Sequence, residues 1–131
     1  MVQEVLELSQ TPLLIRHTGF QGHCQSPRNI SDQLMHDIAT KGGLIAVGYW
    51  EAAVCGTSPK NVAESIKYGV KLLGEDHVAL GSDYDGAVTV AFDSSELAVI
   101  TDELLKIGLT EGQIRKVMGG NMLKFLQDNL P

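Results

Sequence analysis

The sequence has no basic stripe, no long apolar run and no glycine-rich nucleotide loop, and each absence removes a class of function. Basic residues number 10 against 16 acidic ones, a formal charge of −6, and no Lys/Arg cluster interleaves with aromatics. A nucleic-acid partner would need such a cationic face, so none is expected. No segment approaches the roughly 18 to 20 apolar residues that a membrane-spanning helix requires, so no transmembrane segment is expected either. The opening residues, 1–9, are acidic with helical spacing, unlike a secretory leader. Neither G-x-G-x-x-G nor G-x-x-x-x-G-K-[ST] occurs, and the nucleophile elbow G-x-S-x-G is missing. Cysteine is scarce. Cys24 and Cys55 stand alone without a C-x-x-C, which excludes a zinc knuckle and a disulfide-built scaffold. Free thiols in a reducing compartment are expected of the two, with a bridge as the alternative, and the cytoplasm is the favoured location.

What is present reads as a folded chain. Hydrophobic residues make up 44% of the 131, enough for a core. A complete (β/α)8 barrel takes about 250 residues, so only part of one would fit. Val2, Val5 and Leu6 recur at helical spacing and predict a helix over 2–9 that starts without a capping residue. Thr11-Pro12 stops it, and 13–16 is the first strand, ending where His17 breaks the apolar run. A helix over 31–40 follows, with Leu34, Ile38 and Ala39 inward and Gly42-Gly43 as its stop. The run 44–49, apolar without alternation, predicts a strand covered on both faces. Residues 50–57 read as a loop. Ser58-Pro59 then opens a helix that carries Val62, Ile66, Val70 and Leu73 inward and closes at Gly74. A third strand, 78–81, precedes a loop of small residues. Asp93–Glu96 and Thr110–Gln113 both have the spacing of a capping box, the first for a helix reaching Ile107. Gly119-Gly120-Asn121 interrupts the last helical region. Strands alternating with helices predict right-handed βαβ units on a parallel sheet, in a single domain over 1–131.

Two strand ends carry the candidate chemistry, because ligands gather at the carboxyl ends of parallel strands. His17 ends the first, followed by a loop with Arg28; Asp83 and Asp85 end the third, in G-S-D-Y-D-G. An imidazole there is a metal ligand or a packed, hydrogen-bonded ring. Arg28 is an anion site or a surface charge at a helix entry. If the strand continues through Asp85, both carboxylates face one site; otherwise Asp85-Gly86 is a turn and Asp83 bonds the loop backbone. An EF-hand does not fit, since Gly86 falls at the fourth position from the first aspartate and not the sixth. A dehalogenase-type phosphatase would need a later lysine and a later acidic pair, and Asp93, Asp102 and Asp128 form no such pair.

Taken together, H-T-G-F-Q-G-H-C-Q-S-P-R-N-I-S-D, G-G-L-I-A-V-G-Y-W-E-A-A-V-C-G, D-H-V-A-L-G-S-D-Y-D-G and I-R-K-V-M-G-G-N-M-L-K-F-L resemble the C-terminal half of peptidase family M19. These are membrane (renal) dipeptidase-like, amidohydrolase-type metallohydrolases. The resemblance implies half of a TIM-type (β/α)8 barrel, a two-zinc site and hydrolysis of dipeptides. It implies that His17 is the last histidine ligand, that Arg28 binds the substrate carboxylate, and that Asp83 holds the bridging water and shuttles its proton. A neutral imidazole suits zinc, a guanidinium fork suits a carboxylate, and a carboxylate beside a metal-bound water suits proton transfer. Asp85, His23 and Asn121 fall in the matching segments with loop and helix-entry roles, and His36 and His77 are expected to be structural. Arg16 stands where the family usually has a small hydroxyl residue.

The family's His-x-Asp pair, bridging glutamate and other histidine ligand have no counterpart in the sequence. The expectation is therefore the C-terminal part of a zinc dipeptidase, inactive without the rest. The alternative is a non-catalytic half-barrel that self-associates. Two open sheet edges, and an apolar inner face left uncovered, predict a homo-oligomer or association with the missing half.

Overall fold

The structure, a computed structural model, describes residues 1–131. A first helix, α1 (Val2–Leu8), precedes three strand–helix units. These comprise β1 (Leu14–Thr18) with α2 (Asp32–Thr40), β2 (Leu44–Val47) with α3 (Glu51–Val54) and α4 (Pro59–Leu73), and β3 (Val78–Leu80). After β3 come a 3₁₀ turn at Ser94–Glu96, α5 (Ala98–Lys106), α6 (Glu111–Arg115), a π-helical turn at Lys116–Gly120 and α7 (Asn121–Asn129). The strands lie side by side in the order β1-β2-β3 and all pairs are parallel.

Local sequence accounts for the helix boundaries. Ser58 accepts from the Asn61 amide while the Asn61 side chain accepts from the Ser58 amide, and Pro59 fills the first helical position of α4. The reciprocal caps at Asp93/Glu96 and Thr110/Gln113 form as the sequence predicts. Gly69 lies on the buried side of α4, where a Cβ would stand 2.6 Å from Cε2 of Phe20; its absence lets that ring lie against the helix.

The sheet divides its side chains between two clusters. Ile45, Val47 and Val78 face the helices and join Met35, Ile38, Val62 and Ile66 in the main core. Fully burying one such side chain stabilises by about 1.5 to 3 kcal/mol. Leu44, Ala46 and Ala79 face the other way and pack with Leu14, Met122 and Phe125.

Five expectations are corrected. The inner face of the sheet is not uncovered: Leu44, Ala46 and Ala79 are buried, because α7 returns Met122 and Phe125 across it. The segment after β2 is not all loop, since Glu51–Val54 makes one helical turn. On α2 it is Met35, beside Ile38 and Ala39, that is buried, with Leu34 only half-buried. The third strand stops at Leu80, one residue short of the expected 81, and Asp83 takes a left-handed φ of 62°, so of the two alternatives offered there the turn at Asp85-Gly86 is the one that forms. Finally, Cys24 and Cys55 are not free thiols but a disulfide. The β1–α2 loop folds back onto the end of α3 and brings their Cα atoms to 5.4 Å, within bridging reach.

Candidate functional site

At the carboxyl ends of β1 and β3 an open cleft is lined by Arg16, His17, Ser82, Asp83, Asp85 and Gly86, with Leu80, Gly81 and Met122 beneath. His17 lies on β1 and not just beyond it, the strand running on to Thr18. His17 Nε2 stands 3.9 Å from Asp83 Oδ1, too far for a direct hydrogen bond and near enough to share one atom between them. The two side chains differ in exposure, His17 at 44% and Asp83 at 14%. The histidine is thus the open side of the pair.

Asp83 is fixed by its turn. Its carbonyl accepts from the Gly86 amide at 2.9 Å. A Cβ on Gly86 would sit 2.7 Å from Asp83 Oδ1, so the glycine leaves room for the carboxylate. The left-handed backbone at Asp83 costs on the order of 1 to 3 kcal/mol for a non-glycine residue, a strain that clusters at functional sites. Asp85, in the turn beyond, is exposed and also lines the cleft.

The middle strand supplies support rather than candidate groups. Tyr49 and Trp50, at the end of β2, diverge. The Trp50 ring meets the His17 ring edge-on with centroids 6.4 Å apart, and Tyr49 meets Tyr84 at 5.7 Å. Each flank of the cleft therefore leans on one of these aromatics. Burial, then the charge of Tyr84, holds the Tyr49 hydroxyl above the ordinary tyrosine range, so it stays protonated. Sequence reasoning missed this pair, although two adjacent aromatics at a strand end were a visible signal.

Arg28 does not line this cleft. It is exposed in the β1–α2 loop, where its amide donates to Ser26 Oγ. That loop is tightly held. Asn29 is buried and donates to the carbonyls of Cys24 and Ala53 at 2.9 and 3.0 Å. Asp32 accepts from the Gly22 amide and the Tyr68 hydroxyl, and the disulfide ties Cys24 to the end of α3.

The remaining candidates take structural places. His77 Nδ1 lies 2.9 Å from the Gly43 carbonyl, and His36 is exposed on α2. His23 packs on the Tyr68 ring. Asn121, buried at the start of α7, donates to the carbonyls of Glu75 and Val78. A second concavity, at the opposite strand ends, is lined by Gly43, His77, Asn121 and Phe125, away from the His17–Asp83 pair.

A catalytic zinc ion typically takes three protein ligands. No three His, Cys, Asp or Glu side chains in the chain converge on one point, so its residues do not fit a zinc ion by themselves. No helix is long and apolar enough to cross a membrane.

A parallel strand–helix fold with a polar cleft at its carboxyl ends is the layout of barrel hydrolases. The family model for membrane dipeptidase, peptidase family M19, matches residues 1–129, and the chain belongs to this family of metallopeptidases. It is 29% identical over 133 residues to dipeptidase ataJ of Aspergillus terreus, covering 95% of this chain and 32% of that protein. A metallopeptidase from Rhodobacter sphaeroides, solved with a phosphinate mimic of the dipeptide L-Ala-D-Ala, superposes with a TM-score of 0.87 at 24% identity. That match covers 96% of this chain and 38% of the other, and shows the fold. An amidohydrolase from Pseudomonas aeruginosa gives 0.83 at 26% identity, over 96% of this chain and 48% of the other. The three parallel units are thus part of a TIM-type barrel fold. The chain spans about a third of the length of the curated dipeptidases it matches, at 32% and 33%.

Proposed function

We propose that residues 1–131 form one unit, the C-terminal part of a zinc-dependent dipeptidase barrel, which contributes three groups to a dipeptide site. The observation that carries this reading is the pairing of His17 and Asp83 across β2, 3.9 Å apart, in a chain of the M19 family. His17 would be one metal ligand, its imidazole open on the cleft side. Asp83 would take the proton from the water that attacks the peptide carbonyl and return it to the leaving amine nitrogen. Arg28 would hold the terminal carboxylate of the dipeptide through its forked donors. Because the chain offers one such imidazole and no ligand cluster, the remaining metal ligands come from outside these residues. Alone it should be inactive.

The test is a zinc titration of labelled protein followed through its histidine resonances. Zinc should perturb His17 in weak, fast exchange and leave His36 and His77 still. Dialysed protein should hold well under one zinc per chain. Arg28→Ala should weaken dipeptide binding without changing zinc uptake. Two tightly held zinc ions per chain, or perturbation of His36 and His77 in place of His17, would overturn the assignment.

A second reading, self-association without turnover, draws on one observation: the outer sides of β1 and β3 have no strand beside them. Association would be edge to edge, the inner face being covered already by Met122 and Phe125. Light scattering that finds only monomer at high micromolar concentration removes it.

A further inference from the structure

Neighbours on a strand point to opposite faces, and β1 breaks that rule. Arg16 and His17 are both exposed and both line the cleft that holds Asp83 and Asp85. The cause is in the pairing. Leu14 and Ile15 stand opposite Leu44 and Ile45, but the next partners are Thr18 and Val47, so β1 carries one extra residue. Such bulges kink a strand and re-aim a side chain.

Within this chain Arg16 has no side-chain partner to explain its place. Arg115 pairs with Glu111, Lys106 with Asp102, Lys116 with Glu75 and Asp76, and Lys124 with Asp128. Arg16 makes no ion pair and no side-chain hydrogen bond, although Asp83 and Asp85 line the same cleft. An exposed guanidinium with no partner in this chain, on a residue that lines an open cleft, is suited to a carboxylate arriving from solution.

We infer that Arg16 is a specificity-determining residue, binding a second carboxylate so that the site prefers dipeptides with an acidic side chain. This rests on the dipeptide reading above, in which Arg28 takes the terminal carboxylate; a second cation then has a second anion to meet. Asp83 and Asp85 sharpen the effect. Without Arg16, their charges would repel an acidic side chain, so the arginine both attracts that group and offsets the repulsion.

The experiment compares Ala-Glu with its neutral isostere Ala-Gln by calorimetric or NMR titration, a binding readout that needs no turnover. The native chain should bind Ala-Glu about tenfold tighter, which is about 1.4 kcal/mol. Arg16→Gln should bring the two dissociation constants to within about twofold, and Arg16→Lys should restore part of the preference, a point charge replacing the fork. Arg28→Gln should weaken both dipeptides alike. A native ratio near one, or a preference that survives Arg16→Gln, overturns the role of Arg16 while the dipeptide reading stands. Failure of both dipeptides to bind overturns both.

Discussion

Breaking the Cys24–Cys55 bridge tests whether the loop that carries Arg28 is held by covalent closure or by its polar contacts. The bridge spans 31 positions, a stretch that includes α2, β2 and α3. In the chain-entropy account, closing a loop of that length destabilises the unfolded ensemble by about 3 to 4 kcal/mol. Urea unfolding of a chain this size has a slope of about 1 to 3 kcal/mol per molar, so reduction should lower the midpoint by about 2 M. Native protein should show no reactive thiol, and the transition should be followed by far-UV circular dichroism with and without a dithiol reductant. Cys24→Ala with Cys55→Ala is the control: it should match the reduced protein, apart from a small packing loss at Cys24, which is 1% exposed.

Local contacts set how far the damage spreads. After reduction the loop keeps the Asn29 bonds to Cys24 and Ala53 and the Asp32 contacts to Gly22 and Tyr68. The helices should therefore persist at low urea while Arg28 becomes mobile and dipeptide binding weakens. Coincident midpoints for oxidised and reduced protein, or free thiols in the native state, would refute the reasoning. Disulfides of this kind persist in oxidising compartments, so the stabilisation is expected only there.

Asn121→Ala should destabilise by about 1 to 3 kcal/mol, since it strips the donors from two carbonyls, those of Glu75 and Val78, and a urea midpoint shift reads this directly. Alkaline pH should weaken the fold through Tyr49. Burial raises its folded pKa, while the unfolded side chain loses its proton near pH 10, so the contribution is present below about pH 10 and falls as pH rises above it. Tyr49→Phe should flatten that decline, and equal slopes in the two proteins would refute the assignment.

The strands and most helix boundaries were legible because they rest on short-range rules. Ser58-Pro59 and Thr110–Gln113 each specify a helix start from side chains a few residues apart and form as read, while the Asp93–Glu96 box forms but opens a 3₁₀ turn ahead of α5. What was not legible depends on chain segments meeting after they fold. The disulfide needed the loop after β1 to return onto the end of α3. The cover over Leu44, Ala46 and Ala79 needed α7 to cross the inner face, and α7 gives little sign of that: Leu123 and Leu126 are exposed on it while Met122 and Phe125 pack. A helix with apolar residues on two sides does not say which one will be buried.

The cleft itself shows the same division within a single strand. That His17 and Asp83 lie at one end of the sheet follows from parallel order, which places every strand's carboxyl end on the same edge. That they come within 3.9 Å does not follow, because β2 lies between their strands. Gly81, on the inner face just past β3, brings the flanks together: a Cβ there would stand 2.9 Å from that of Ala46 and would run into the Arg16 carbonyl. A side chain at Gly81 would therefore push β1 and β3 apart and open the gap between imidazole and carboxylate. The bulge in β1 works on the same edge, turning His17 and Arg16 into one cleft where a regular strand would have divided them. Register and close approach, more than residue type, decide which of these groups can act together.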